Sequence, residues 1–212
     1  MANYFPLFAD MEKSPVLIFG GGEKALEKIE KLKDYSPMIT IATETICETI
    51  RMRRDVQIEL CSFSDAEDLL LRIRPQFVII ADVNDENILL LLFALCRKYR
   101  IPVNTVDKKD YCTFIFPSII KKKNLTVAVS TQGASPAAAK YLREEIEKAI
   151  PSEIEPILDW IATKRNQLRT REDLDQAQSA AYQRALVAYA FQKNRPPNDL
   201  ETETILQKYK KN

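Results

Sequence analysis

Three of the four glycines in this 212-residue chain stand side by side as Gly20-Gly21-Gly22, followed by Glu23-Lys24-Ala25. The run fits a G-x-G-x-x-A pattern and directly follows the apolar stretch Pro15-Val16-Leu17-Ile18-Phe19. Each small residue has a physical task in such a turn. Gly20 permits the sharp reversal, Gly22 lets backbone come close to a pyrophosphate, and Ala25 lets the next helix pack tightly against the strand. The amides that open this helix, those of Glu23 and Lys24 among them, are donors to an anion. The strand-turn-helix context and the concentration of glycine in one place point to dinucleotide binding.

The remaining candidates for chemistry are carboxylates, because the chain has no histidine. That absence removes the usual general base and the commonest metal ligand, and it excludes Ser-His-Asp and Cys-His catalysis within one chain. Glu44 and Thr45 follow the second apolar run, Met38 to Ala42. Glu44 either reaches the ribose hydroxyls of a dinucleotide or is a solvated loop charge, and both readings stand. No arginine stands immediately after that run to receive a 2′-phosphate, which favours NAD over NADP. Asp107 closes the run Val103 to Val106, where an acid either accepts a proton from a ligand or caps a turn. Cys47, Cys61, Cys96 and Cys112 are scattered, without a Cys-x-x-Cys pair, and read as idle thiols in a reducing compartment. With 31 basic and 30 acidic side chains, the net charge gives no global attraction to nucleic acid.

The elements that must position these residues are short and alternate. Apolar runs at 15–19, 38–42, 56–60, 77–81 and 102–106 read as strands, with helices over 24–32 and 86–99 between them. Short apolar strands, the third of them (56–60) alternating, separated by helices predict a parallel sheet covered on both faces, an α/β Rossmann arrangement. The pattern changes near Cys112. Residues 114–120 and 125–130 read as two strands separated by a span too short for a crossover helix, so they form a hairpin. Ser135 then caps a helix with Pro136 at its first position, running to about Ala149. From Pro151 onward the spacing of Ile154, Ile157, Leu158 and Ile161 is helical, and Pro196-Pro197 breaks the region before a last short helix. The most apolar run, Ile88 to Cys96, is far below the ~20 residues of a membrane span, and the N-terminus lacks a secretory pattern. A cytoplasmic location without membrane contact is expected.

In this order the sequence resembles the dehydrogenase/chelatase module of siroheme synthase and its stand-alone precorrin-2 dehydrogenase relatives. The resemblance rests on five segments in register across residues 1–150. They are Tyr4-Phe5-Pro6-Leu7-Phe8, Val16 to Gly22, Ile101 to Asp107, Phe114 to Ile120, and Leu125 to Pro136. It implies oxidation of precorrin-2 to sirohydrochlorin with NAD as acceptor, and it leaves open whether iron is also inserted, with ferrous iron then a second substrate. It further implies a homodimer joined through the hairpin and the following helix. The expected division is an NAD-binding domain over 1–112, a dimerisation region over 113–150 and a helical domain over 151–212. The 212 residues leave no room for the methyltransferase domain fused to some siroheme synthases, and the expectation is that another polypeptide makes precorrin-2.

Several site residues follow from the same resemblance. Asp107 matches the family's strand-end aspartate and is the candidate acceptor of the proton released with hydride transfer. Ala81, Asp82 and Asn84 lie in the loop expected beside the dinucleotide. Asp82 and Val83 depart from the family's usual Ala-Thr-Asp-Asp there, and Leu89 stands where Asn is usual. Ser130, Thr131 and Gly133 form a loop that either binds a tetrapyrrole carboxylate or is simple turn chemistry. Arg143 is the candidate bidentate anchor for such a carboxylate. The lysines Lys108, Lys109 and Lys121 to Lys123 read mainly as solvated turn charges. A non-catalytic NAD-sensing module is the rival reading. It would keep the glycine turn but have no use for Asp107 or for the loop before Ser135.

Overall fold

The computed structural model describes residues 4–169 and 174–209. Contacts divide the chain into two compact units, Met1–Phe116 and Pro117–Asn212.

The first unit is built on a five-stranded parallel sheet: β1 (Pro15–Phe19), β2 (Met38–Thr43), β3 (Val56–Leu60), β4 (Phe77–Ile80) and β5 (Val103–Thr105). The strand order is β3-β2-β1-β4-β5, as in a Rossmann sheet. Successive residues of β1 explain why its run is apolar throughout. Val16 and Ile18 join Ile39, Ile41 and Ile79 on one face, covered by Ala25, Ile29 and Leu32 of α1 (Glu23–Leu32) and Ile50 of α2 (Glu48–Arg51). Leu17 and Phe19 point the other way, with Val78, Ile80 and Val103. There they meet Leu69 and Leu70 of α3 (Ala66–Ile73) and Leu92 and Cys96 of α4 (Glu86–Lys98). Both faces are therefore dry, which a period-two pattern with one wet face would not allow.

The chain leaves β1 toward β2 on one side, and after β3 it crosses back to β4 on the other. The carboxyl ends of β1 and β4 thus flank the crevice where an open wound sheet takes its ligand.

The hairpin is shorter than its apolar pattern predicts. Its strands are β6 (Ser118–Lys121) and β7 (Thr126–Val129), paired antiparallel with Ser118 opposite Val129. Residues 114–117, expected in the first strand, are held by the first unit up to Phe116. Thr113 N donates to Val103 O at 2.7 Å, Asn104 Nδ2 donates to Phe114 O at 3.0 Å, and the rings of Phe77, Phe114 and Phe116 pack edge-to-face. Pro117 then supplies no N–H for a ladder.

In the second unit α5 (Pro136–Ala149) starts with Ser135 Oγ accepting from Ala138 N at 3.1 Å and Pro136 in its first turn. Helices α6 (Ile154–Arg169), α7 (Gln176–Lys193) and α8 (Asp199–Gln207) follow. A small core of Leu174, Tyr182, Leu186, Ile205 and Leu206 joins α7 to α8, with Trp160 of α6 against it. Capping boxes at Asp175/Gln178 and Asn198/Glu201 fix where α7 and α8 begin. Among the described residues no helix is long and apolar enough to cross a membrane.

Candidate functional site

The glycine turn sits where β1 ends. Gly20 has φ +110, and a Cβ built there would lie 1.6 Å from the carbonyl oxygen of Ala81. The turn after β1 is thus pressed against the end of β4, and only glycine satisfies both the angle and the space. Gly22 is the N-cap residue of α1, with no side chain of its own to cap it.

The cap comes from Asp82 instead. This residue follows β4 in the left-handed region, at φ +53. Its carboxylate accepts from Gly22 N at 3.1 Å, Lys24 N at 3.3 Å and Ala25 N at 2.9 Å. Three convergent amides at a helix N-terminus form an anion cradle, and the positive end of the helix dipole adds to it. A Cβ on Gly22 would come within 2.7–3.0 Å of the Asp82 carboxyl group, so that carboxyl group occupies the space left by the missing side chain. The donor set and the cradle fit a dinucleotide pyrophosphate.

A cavity of about 480 Å³ opens beside the cradle. Gly21, Gly22, Glu44, Thr45, Asp82 and Asn84 line it together with Ile46, Phe63 and Ile88, an apolar wall beside a polar rim. Glu44 is exposed there and accepts from Ser62 Oγ at 3.4 Å. Thr45 closes a local turn in which Thr43 Oγ1 donates to Thr45 O at 2.6 Å. Asp85 has a separate job as N-cap of α4, accepting from Asn87 N at 2.8 Å and Ile88 N at 3.2 Å. Ala81 is buried, its amide donating to Phe19 O at 2.8 Å.

Asp107 stands at the same end of the sheet. Val106 N still donates to Ile80 O at 2.9 Å, after which the backbone turns at Asp107 with φ +62. The Asp107 side chain is 70% exposed and pairs with Lys24 Nζ at 2.7 Å. This hydrogen bond, and then the charge of Asp107, hold the Lys24 ammonium above its ordinary value. Lys24 therefore links the two acids: its amide bonds Asp82 and its ammonium bonds Asp107. Sequence spacing gave no sign of that bridge, since the three residues are far apart along the chain.

Glu23 is exposed in the first turn of α1. In the second unit the other candidates are engaged locally. Ser130 Oγ accepts from Gln132 N at 3.1 Å, and Thr131 Oγ1 donates to Ser135 O at 3.0 Å and accepts from Ser135 N at 3.1 Å. Gly133 has φ +79 within that turn. Arg143 is tied to Glu147 at 2.6 Å and Glu144 at 2.9 Å, so a substrate carboxylate would have to compete with its own helix. Lys123 pairs with Asp159 at 2.7 Å, and Lys122 lies 3.7 Å from Glu147.

Residues 7–118 match the family described as putative NAD(P)-binding, and the chain belongs to that family. Residues 122–149 match the family described as sirohaem biosynthesis protein, central. Among similar proteins, siroheme synthase 1 of Pectobacterium atrosepticum is 33% identical over 170 residues, which is 80% of this chain and 35% of the relative. Siroheme synthase of Neisseria meningitidis serogroup C is 38% identical over 151 residues, 70% of this chain and 31% of the relative. The chain thus spans about a third of the length of these curated relatives. The solved structure "SirC, precorrin-2 dehydrogenase" has the same fold. It superposes with a TM-score of 0.67 at 18% identity, covering 97% of this chain and 98% of that one.

Proposed function

We propose that this chain is an NAD-dependent dehydrogenase that oxidises precorrin-2 to sirohydrochlorin in siroheme biosynthesis. The relatives' names supply the substrate class, and one geometric observation supports the reading most. A carboxylate with no role in the core, Asp107, is held by Lys24 from the first turn of the helix that carries the anion cradle.

On this reading the amides of Gly22, Lys24 and Ala25 hold the dinucleotide's pyrophosphate, and Glu44 and Thr45 face its ribose. When bound, nicotinamide supplies the hydride acceptor for the reaction. The chain's own work is to orient and to take the proton. Loss of two hydrogens from a reduced tetrapyrrole releases one as hydride and one as a proton, and an Asp107 carboxylate oxygen accepts the latter. Lys24 keeps that carboxylate in place and compensates its charge before the transfer. In a chain without histidine, an exposed carboxylate at the sheet's ligand edge is the natural acceptor.

The proposal assigns cofactor binding to the residues before about 112 and tetrapyrrole contact in part to Ser130, Thr131, Gly133 and Arg143. It also includes a homodimer built through the region 113–150. Tyr141, Leu142 and Ile146 of α5 are exposed at 62%, 46% and 38%, an apolar helix face suited to a second copy. Four free thiols agree with a cytoplasmic setting.

The test is direct. Protein incubated with NAD and precorrin-2 should produce NADH and sirohydrochlorin in equal amounts. Binding of NAD without NADH formation would favour the sensing module instead.

A further inference from the structure

We infer that Asp82 is an internal competitor for the dinucleotide's anion cradle, so that the cofactor binds only after this carboxylate has left. The inference rests on the dinucleotide reading of the glycine turn and concerns how tightly that site holds its ligand.

Three observations carry it. The carboxylate of Asp82 uses the amides of Gly22, Lys24 and Ala25, the donors a pyrophosphate needs. It also fills the volume that the missing Gly22 side chain leaves open. Finally, the backbone turn after β4 places Asp82 at φ +53, in the left-handed region that Asp and Asn reach more readily than other non-glycine residues, and so aims its short side chain at these amides. A pyrophosphate and a carboxylate cannot share one set of donors, and like charges at that distance repel. Lys24 moderates the repulsion only in part, because its ammonium is directed to Asp107.

The same contact has a second consequence. Asp82 caps α1, so it stabilises the protein without ligand while opposing the ligand. A residue with a purely structural role would not act in opposite directions on these two quantities.

Asp82→Asn separates the effects, because the amide oxygen still accepts hydrogen bonds and Asn tolerates the left-handed region, but the charge is gone. Asp82→Gly serves as a second variant that keeps the backbone angle and removes the side chain. Calorimetric titration with NAD, and with ADP-ribose as a probe that has the pyrophosphate but no nicotinamide, reads the affinity. The expected result is a roughly tenfold lower Kd for both ligands in both variants, matching the upper end of what an anion gains at a helix N-terminus. The ligand-free variants should melt at a lower temperature than the parent chain. Unchanged or weaker NAD binding in folded variants would overturn the inference while leaving the cofactor reading intact. If neither the parent chain nor the variants bind NAD or ADP-ribose, the cofactor reading itself fails and the inference falls with it.

Discussion

Gly20 and Gly22 lack side chains for different reasons, and substitutions there separate folding from binding. A methyl group on Gly20 meets the backbone of Ala81 at a positive φ. Gly20→Ala should therefore lower stability by about 2–4 kcal/mol in a denaturant titration. On Gly22 the same methyl group meets the carboxyl end of the Asp82 side chain, which can rotate away where backbone cannot. Gly22→Ala should cost about 1 kcal/mol, the value of a helix cap, yet abolish dinucleotide binding. At Asp107, conversion to Asn should leave the melting temperature within experimental error and reduce NADH formation by about 10²–10⁴-fold, as expected when a proton acceptor is lost. Cys96 sits in the core, and burial pushes its thiol up to about 12. Its alkylation at pH 8, read by mass spectrometry, should be absent until the protein unfolds. The sign of its pH effect follows. The unfolded thiol ionises near pH 8.5 while the folded one stays protonated, so stability present below that pH declines as pH rises toward 12.

At the scale of elements, what the sequence reveals depends on burial. The central strands were legible because both of their faces are dry, leaving apolar runs such as Pro15–Phe19 and Phe77–Ile80, whereas the edge strand β3 was legible from its alternating Val56-Gln57-Ile58-Glu59-Leu60. α3 was not read, although Ala66, Leu69, Leu70 and Ile73 have helical spacing, since its eight residues are too short for a clear period. The start of β6 was placed too early because Phe114 and Phe116 are apolar for another reason, namely ring packing on Phe77. Composition does not distinguish those uses. The glycine turn could be read locally, but the Asp82 cap and the Lys24–Asp107 pair could not. Both join residues more than fifty positions apart, and only the strand order brings them together. The start of α5 was readable because its cap, Ser135, stands beside its own helix, whereas the cap role of Asp85 at α4 emerges only in the structure. Asp85→Ala should therefore lower stability by about 1 kcal/mol through α4, without the loss of NADH formation expected at Asp107.

At the scale of the molecule, two units divide the work that the sequence assigns to one chain. The first holds the crevice, and the second offers the apolar face of α5. If that face joins two copies, Leu142→Glu should shift the mass measured by light scattering from dimer to monomer while helix content stays unchanged. A monomeric parent chain would remove the dimer from the proposal but leave the crevice as described. The cofactor account stands on that crevice alone. Titration of the isotope-labelled protein with NAD, followed through its amide resonances, tests it most directly. The account predicts shifts concentrated at Gly20 to Ala25, Thr43 to Thr45 and Asp82 to Asn84, reaching Asp107. NAD binding that leaves these amides unmoved and shifts only residues beyond Phe116 would contradict it.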